Sequence, residues 1–156
     1  MQKELNAVPG ELAVAGGNFT VSQRVAICFA AGVVGALAVV LFSHLLFQLG
    51  LSERLGVKAP VSLKSPDVYK PLFWGGLWGI PFALILEAIW SRLYLWGPLY
   101  FLAPVTALFL FFLPMAGLGY FGLQQGPKFT LYLLLVNLPF GIVTALTAKA
   151  IIGHTP

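Results

Sequence analysis

The sequence predicts an all-helical, polytopic membrane protein: a bundle of four transmembrane helices, the second, third and fourth kinked, with both termini on one side. Composition is the first reason. Of 156 residues, 59% are hydrophobic and 9% charged, whereas a soluble domain carries about 25% charged residues to meet water. Placement is the second reason. The charges gather at the start of the chain, over residues 51–71 and at short turns. Between them run apolar stretches of the ~20 residues that cross a ~30 Å hydrocarbon core as a helix. The whole chain, 1–156, reads as one transmembrane domain.

Residues 1–20, with Pro9, Gly10, Gly16 and Gly17, read as an extra-membrane tail of weak or no structure. Lys3 is followed at once by Glu4, and the apolar run beyond is too long for a leader-peptide core. The first span covers about residues 25–49, from Arg24 to Gln48 and Gly50. At ~1.5 Å per residue it exceeds the hydrocarbon thickness and so tilts. Residues 51–71 form the longest and most polar connection. There Ser65, Pro66 and Asp67 look like an N-cap, a first-turn proline and a first-turn acid.

The second span runs over about 72–90 with Pro81 inside it, followed by an aromatic corner at Ser91–Pro98. Trp90, Tyr94, Trp96 and Tyr100 form an interfacial belt. The third span covers about 99–123. Its stretch from Pro114 to Gly122 is poor helix material, a kinked end or an unwound segment. Gln124–Lys128 is a turn, and the fourth span covers about 131–151 around Pro139.

Net charge is +4, and no basic residues interleave with exposed aromatics, so the expected partner is the lipid bilayer and not nucleic acid. One side of the membrane would hold Arg54, Lys58, Lys64, Lys70 and Lys128, the other Lys3, Arg24, Arg92 and Lys149. Five against four places the 51–71 loop in the cytoplasm. Cys28 is the only cysteine, which excludes an intrachain disulfide or a cysteine metal cluster; it reads as an apolar filler.

Ionisable and amide groups inside a span are the candidate functional residues, because the bilayer makes them costly. His44 and Gln48 share a face one turn apart. That pair could ligate a haem or chlorophyll metal or meet a quinone carbonyl, or be satisfied by headgroups. The other histidine, His154, is in the terminal tail. Glu87 is flanked by apolar residues one turn from the surface, where water or Arg92 can satisfy it. Asn137 carries an amide into the fourth span, on a stripe with Thr130, Gly141, Thr144 and Ala148. Such stripes let helices approach closely. Gly32 and Gly35 line one side of the first span, opposite His44, and Gly75 and Gly79 make a GxxxG in the second. These six glycine and threonine positions — Gly32, Gly35, Gly75, Gly79, Gly141 and Thr144 — are the expected helix-packing contacts.

No metal motif, paired carboxylates, nucleophile elbow or phosphate loop occurs, so no catalytic residue, metal or cofactor is assigned. The expectation is a non-catalytic accessory or structural subunit of a membrane complex, packing against other subunits or itself and contacting lipid, quinone or pigment. The alternative is a small oligomeric transporter or channel using Glu87, Asn137 and the broken third helix.

Overall fold

A computed structural model of the chain describes residues 12–14 and 17–153. Short antiparallel strands β1 (Leu12–Val14) and β2 (Gly17–Phe19) pair in the register Leu12 to Phe19 and Val14 to Gly17. That part of the tail is therefore ordered, contrary to the expectation of little structure. The reason is visible at its end: Phe19 is buried in the main core cluster. The remaining residues of the tail, and His154, lie outside the described residues.

The first helix, α1 (Val21–Gln48), begins four residues earlier than expected. Thr20 and Gln23 form a capping box: the Thr20 hydroxyl accepts from the Gln23 amide, and the Gln23 side chain accepts from the Thr20 amide. Arg24 is thus inside the helix and not its border. Gly50, in the left-handed region at φ 69°, turns the chain into a single helical turn, α2 (Leu51–Arg54). The next helix, α3 (Tyr69–Ile89), is capped by Val68 with no side-chain hydrogen bond. The expected Ser65 cap is not used. A turn closed by Val68 N–H to Lys64 O (3.2 Å) and Tyr69 N–H to Pro66 O (3.1 Å) precedes the helix instead.

After α3 the chain turns through a 3-10 segment, Trp90–Arg92, into α4 (Leu93–Leu99). The run from Tyr69 to Leu99 is helical almost throughout, but it is not straight. Tyr100 Oη donates to the carbonyl of Trp78 at 2.6 Å, whereas 22 residues of straight helix would part them by ~33 Å. The reversal is at Trp90–Arg92, so the expected corner over Ser91–Pro98 is shorter than its proline and aromatics suggested. Leu93 and Gly97, one turn apart, are buried and hold α4 as helix.

The kinked third span expected over 99–123 is interrupted in two places, the second being the stretch after Pro114, expected to be a kinked end or unwound. The first lies at Tyr100 and Phe101, before α5 (Leu102–Ala107). Pro104 has no N–H to give the Tyr100 carbonyl, which accepts instead from Ala103 at 3.0 Å. A π turn, Leu108–Phe112, and a last turn, α6 (Leu113–Met115), follow. Pro114 again lacks the N–H, and Leu113 N–H reaches back five residues to Leu108 O. Helix ends at Met115, because Gly117 and Gly119 adopt φ 75° and 72°. A pair of turns over Tyr120–Gln125, kinked where Phe121 and Gly122 take φ 59° and 69°, leads to Pro127, the first residue of α7 (Pro127–Gly153).

Three helices are long and apolar enough to cross a membrane: Val21–Gln48, the folded-back run Tyr69–Leu99, and Pro127–Gly153. Leu102–Met115 is apolar but shorter, about 21 Å by helical rise. In the bundle α1 is central, packed on α3 and on α7, while α4 packs on α7. A second small cluster of Leu46, Tyr132 and Val136 seats α2 and Val57 over the ends of α1 and α7. The outer faces carry large exposed apolar residues such as Leu41, Leu84, Phe111 and Leu131. Length, composition and these outer faces fit a protein embedded in a membrane.

Candidate functional site

The seams that position the site are glycine-lined. A Cβ on Gly32 would collide with the backbone of Gly75, and one on Gly79 with the Cys28 carbonyl. α1 and α3 therefore meet backbone to backbone. On the other side of α1, Gly35 leaves room for the fully buried Thr144 of α7. Farther along α7, Gly141 receives α4: a methyl there would lie 2.7 Å from the Gly97 carbonyl oxygen and 2.9 Å from the Phe101 nitrogen. The stripe of the fourth span is thus shared between two neighbours. Thr130 leaves it altogether and donates to the Phe121 carbonyl at 2.7 Å.

α4 is held tightly on α7, and the segment that follows touches that helix less. Beyond the break at Tyr100 and Phe101, α5 and the π turn diverge and leave a cavity of about 360 Å³. Its walls come from Ala36 and Val39 of α1, Pro71, Trp74, Gly75 and Trp78 of α3, Pro104, Leu108 and Phe112 of the third segment, and Asn137 and Phe140 of α7. Trp74 and Phe112 close one edge, ring centroids 5.0 Å apart. Tyr100, behind the lining, braces two of its residues: it donates to Trp78 O, and its ring packs on Phe140 (6.3 Å) and on Phe82 (4.7 Å).

Asn137 is the only carboxamide in the lining. Its Nδ2 donates to Leu133 O at 2.8 Å, which holds the amide against its own helix. The second Nδ2 hydrogen and the Oδ1 lone pairs are left for whatever occupies the cavity. Trp74 and Trp78 are the other lining residues whose side chains carry a polar N–H. By helical rise from Pro127, Asn137 is ~15 Å along α7, close to the middle of that helix. A largely apolar cavity with one amide binds apolar molecules and selects those with a single carbonyl or hydroxyl head. Among the described residues, none in its lining carries a charged side chain.

The other candidates lie elsewhere. His44 Nε2 is 2.9 Å from the Val61 carbonyl, to which it donates, and the neighbouring Ser43 Oγ accepts from the Val61 amide at 3.2 Å. Ser43 also donates to Val40 O at 2.6 Å. Both polar groups of one loop residue are thereby clasped to α1. Gln48 is exposed at the helix end and shares no cavity with His44. Among the described residues, no three His, Cys, Asp or Glu side chains come together.

Glu87 forms an ion pair with Arg24 of α1, not with Arg92, which is exposed in the turn. Arg24 is 8% exposed and Glu87 42%, so the pair ties α1 to α3 with one member in contact with the surroundings. It stands at the opposite end of the bundle from the His44 clasp, and it is not in the lining of the Asn137 cavity. His44, Glu87 and Asn137 therefore occupy three separate places.

Sequence reasoning missed Arg24 and the tryptophan wall. A signal for Arg24 existed: Arg24, Cys28, Gly32 and Gly35 share one face at helical spacing, as do Gly75, Gly79, Ala83 and Glu87. Antiparallel packing of those two faces brings their charged ends together. Trp74 and Trp78, also one turn apart, carried the same kind of signal for the cavity. Comparison with protein-family models, curated proteins and solved structures found no match for the chain.

Proposed function

We propose that this chain is a non-catalytic accessory or structural subunit of a membrane complex that holds one lipid-soluble molecule in the Asn137 cavity. On this reading the chain crosses the membrane four times. α4, α5, the π turn and α6 together make a third, broken pass; the 51–71 loop faces the cytoplasm; the bundle meets other subunits or a second copy through its apolar outer faces. Support for four passes comes from the contacts at the two ends. Lys149 of α7 lies over the Tyr94 ring at the start of α4, and Trp74 at the start of α3 touches Phe112 near the end of the third segment.

The observation that carries the functional reading is the cavity itself: apolar walls, one amide with free hydrogen-bonding capacity, and a place beside the middle part of α7. Those features suit an isoprenoid or acyl chain ending in a carbonyl or hydroxyl, the quinone class included. The His44 and Gln48 alternative has less in its favour, because His44 is engaged with the loop backbone.

The test is gentle extraction from the native membrane, followed by mass spectrometry of co-purifying small molecules and proteins. Wild type is expected to retain about one apolar molecule per chain and to bring partner subunits with it. Asn137→Leu should keep the fold and lower retention roughly fivefold to tenfold, as expected for loss of one hydrogen bond in an apolar site. Retention unchanged in Asn137→Leu, or no molecule at all on wild type, would sink the reading. A small transporter would instead show flux in proteoliposomes that this substitution removes.

A further inference from the structure

A second groove lies on the outside of the bundle, between α4 and α7, at the end where the ion pair of Arg24 and Glu87 stands. Its volume is about 240 Å³, and its walls include Leu93, Pro98, Ile142, Ala145 and Leu146. Leu146 and Ile142 are 49% and 42% exposed, so the groove opens to the outside of the bundle. At its head are Tyr94 and Lys149, the ammonium 3.7 Å from the ring centroid.

Among the described residues, Lys149 is the one charged side chain in the lining of the groove. It is half-buried, four residues before the end of α7, or ~6 Å from the helix terminus. Among the described residues no carboxylate lies within ion-pair distance of it. The cation–π contact with Tyr94 orients the ammonium without neutralising it, so its positive charge remains available to an anion as far as the described residues go. Arg92, two residues before Tyr94, adds an exposed guanidinium to the same turn. A positive head above an apolar channel is complementary to an anionic amphiphile.

We propose that this groove binds one anionic glycerophospholipid, with its phosphate on Lys149 and an acyl chain laid along Ile142 and Leu146 against α4. The charge complementarity selects the phosphate, and the apolar channel distinguishes a lipid from a free anion. The site is separate from the Asn137 cavity and does not depend on what that cavity holds.

The full chain, delipidated in neutral detergent, is titrated with phosphatidylglycerol and with phosphatidylcholine of the same acyl chains, and bound lipid is counted by native mass spectrometry. One phosphatidylglycerol is expected to bind roughly fivefold more tightly than phosphatidylcholine, the preference that one interfacial cation confers. Excess inorganic phosphate should not displace it. Lys149→Gln should erase the preference, Lys149→Arg should keep it, and Lys128→Gln at the other end of the bundle should leave it unchanged. Equal affinity of the wild type for the two lipids overturns the proposal without recourse to any variant. So do displacement by phosphate, an undiminished preference in Lys149→Gln, or an equal loss in Lys149→Arg.

Discussion

The two halves of the segment from Leu93 to Met115 are made of similar residues and behave differently. The first half, α4, is seated on α7 through Gly97, Gly141 and Ala145, close enough that a methyl on Gly141 has no room. The second half, α5 to α6, still buries Val105, Phe109 and Leu113 in the core, but it leaves an open-sided cavity of about 360 Å³ against α1, α3 and α7. Hydrophobicity does not separate them; Phe109, Leu110, Phe111 and Phe112 are as apolar as anything in α4. What separates them is the presence of small residues on one face and the placement of Pro104 and Pro114. Between helices in lipid there is little hydrophobic driving force, so contact depends on backbones that can approach. Where glycine is replaced by phenylalanine and the helix is interrupted, a void opens.

The largest expected effect comes from attacking the tight half. Gly141→Leu should destabilise the protein by about 3 kcal/mol, since the added atoms meet backbone that cannot yield. A change on the α1 wall of the cavity, Val39→Phe, adds atoms to the open space beside the loose half and should alter stability by less than about 1 kcal/mol. Unfolding in sodium dodecyl sulfate, followed by circular dichroism, compares the two directly. Equal destabilisation would mean that the void is not available space.

A smaller effect is expected at the charged end of the α1–α3 seam. Glu87→Gln should destabilise by about 2 kcal/mol, between the values for exposed and buried pairs, because Arg24 is buried and Glu87 is partly exposed. The same titration reads it, and no loss at all would show that the pair contributes only charge placement. Ser43→Ala should have a lesser effect, about 1 kcal/mol for a lost hydrogen bond. Its signature is local: faster hydrogen exchange at the Val61 amide, which Ser43 holds, with exchange in α1 and α3 unchanged. An unaltered Val61 rate would remove the clasp from the description.

The legible part of the fold follows the same division. Long apolar runs and turn residues placed α1, α3 and α7 to within a few residues, because bilayer thickness sets helix length so directly. The errors fell where a local hydrogen-bonding detail overrides composition. Thr20 and Gln23 extend α1 past Arg24 through a capping box. Tyr100 could be assigned to an interfacial belt from its type, yet its hydroxyl reaches Trp78 in mid-helix. The spacing of Asn137 marked it as polar within a stripe, but no pattern along α7 says that a distant break at Tyr100 opens space beside it. Glu87 was visible as a costly acid, and its partner lay 63 residues away, beyond any local window.

The central claim is that Leu93–Met115 crosses the membrane as one broken pass, with the cavity as the consequence of the break. Its most direct test is sidedness. In a Cys28→Ala background, single cysteines at Ser91→Cys and Gln124→Cys are labelled with a membrane-impermeant maleimide in sealed vesicles of known orientation. A broken third pass predicts labelling of the two positions from opposite sides of the membrane. Labelling of both from the same side would contradict it.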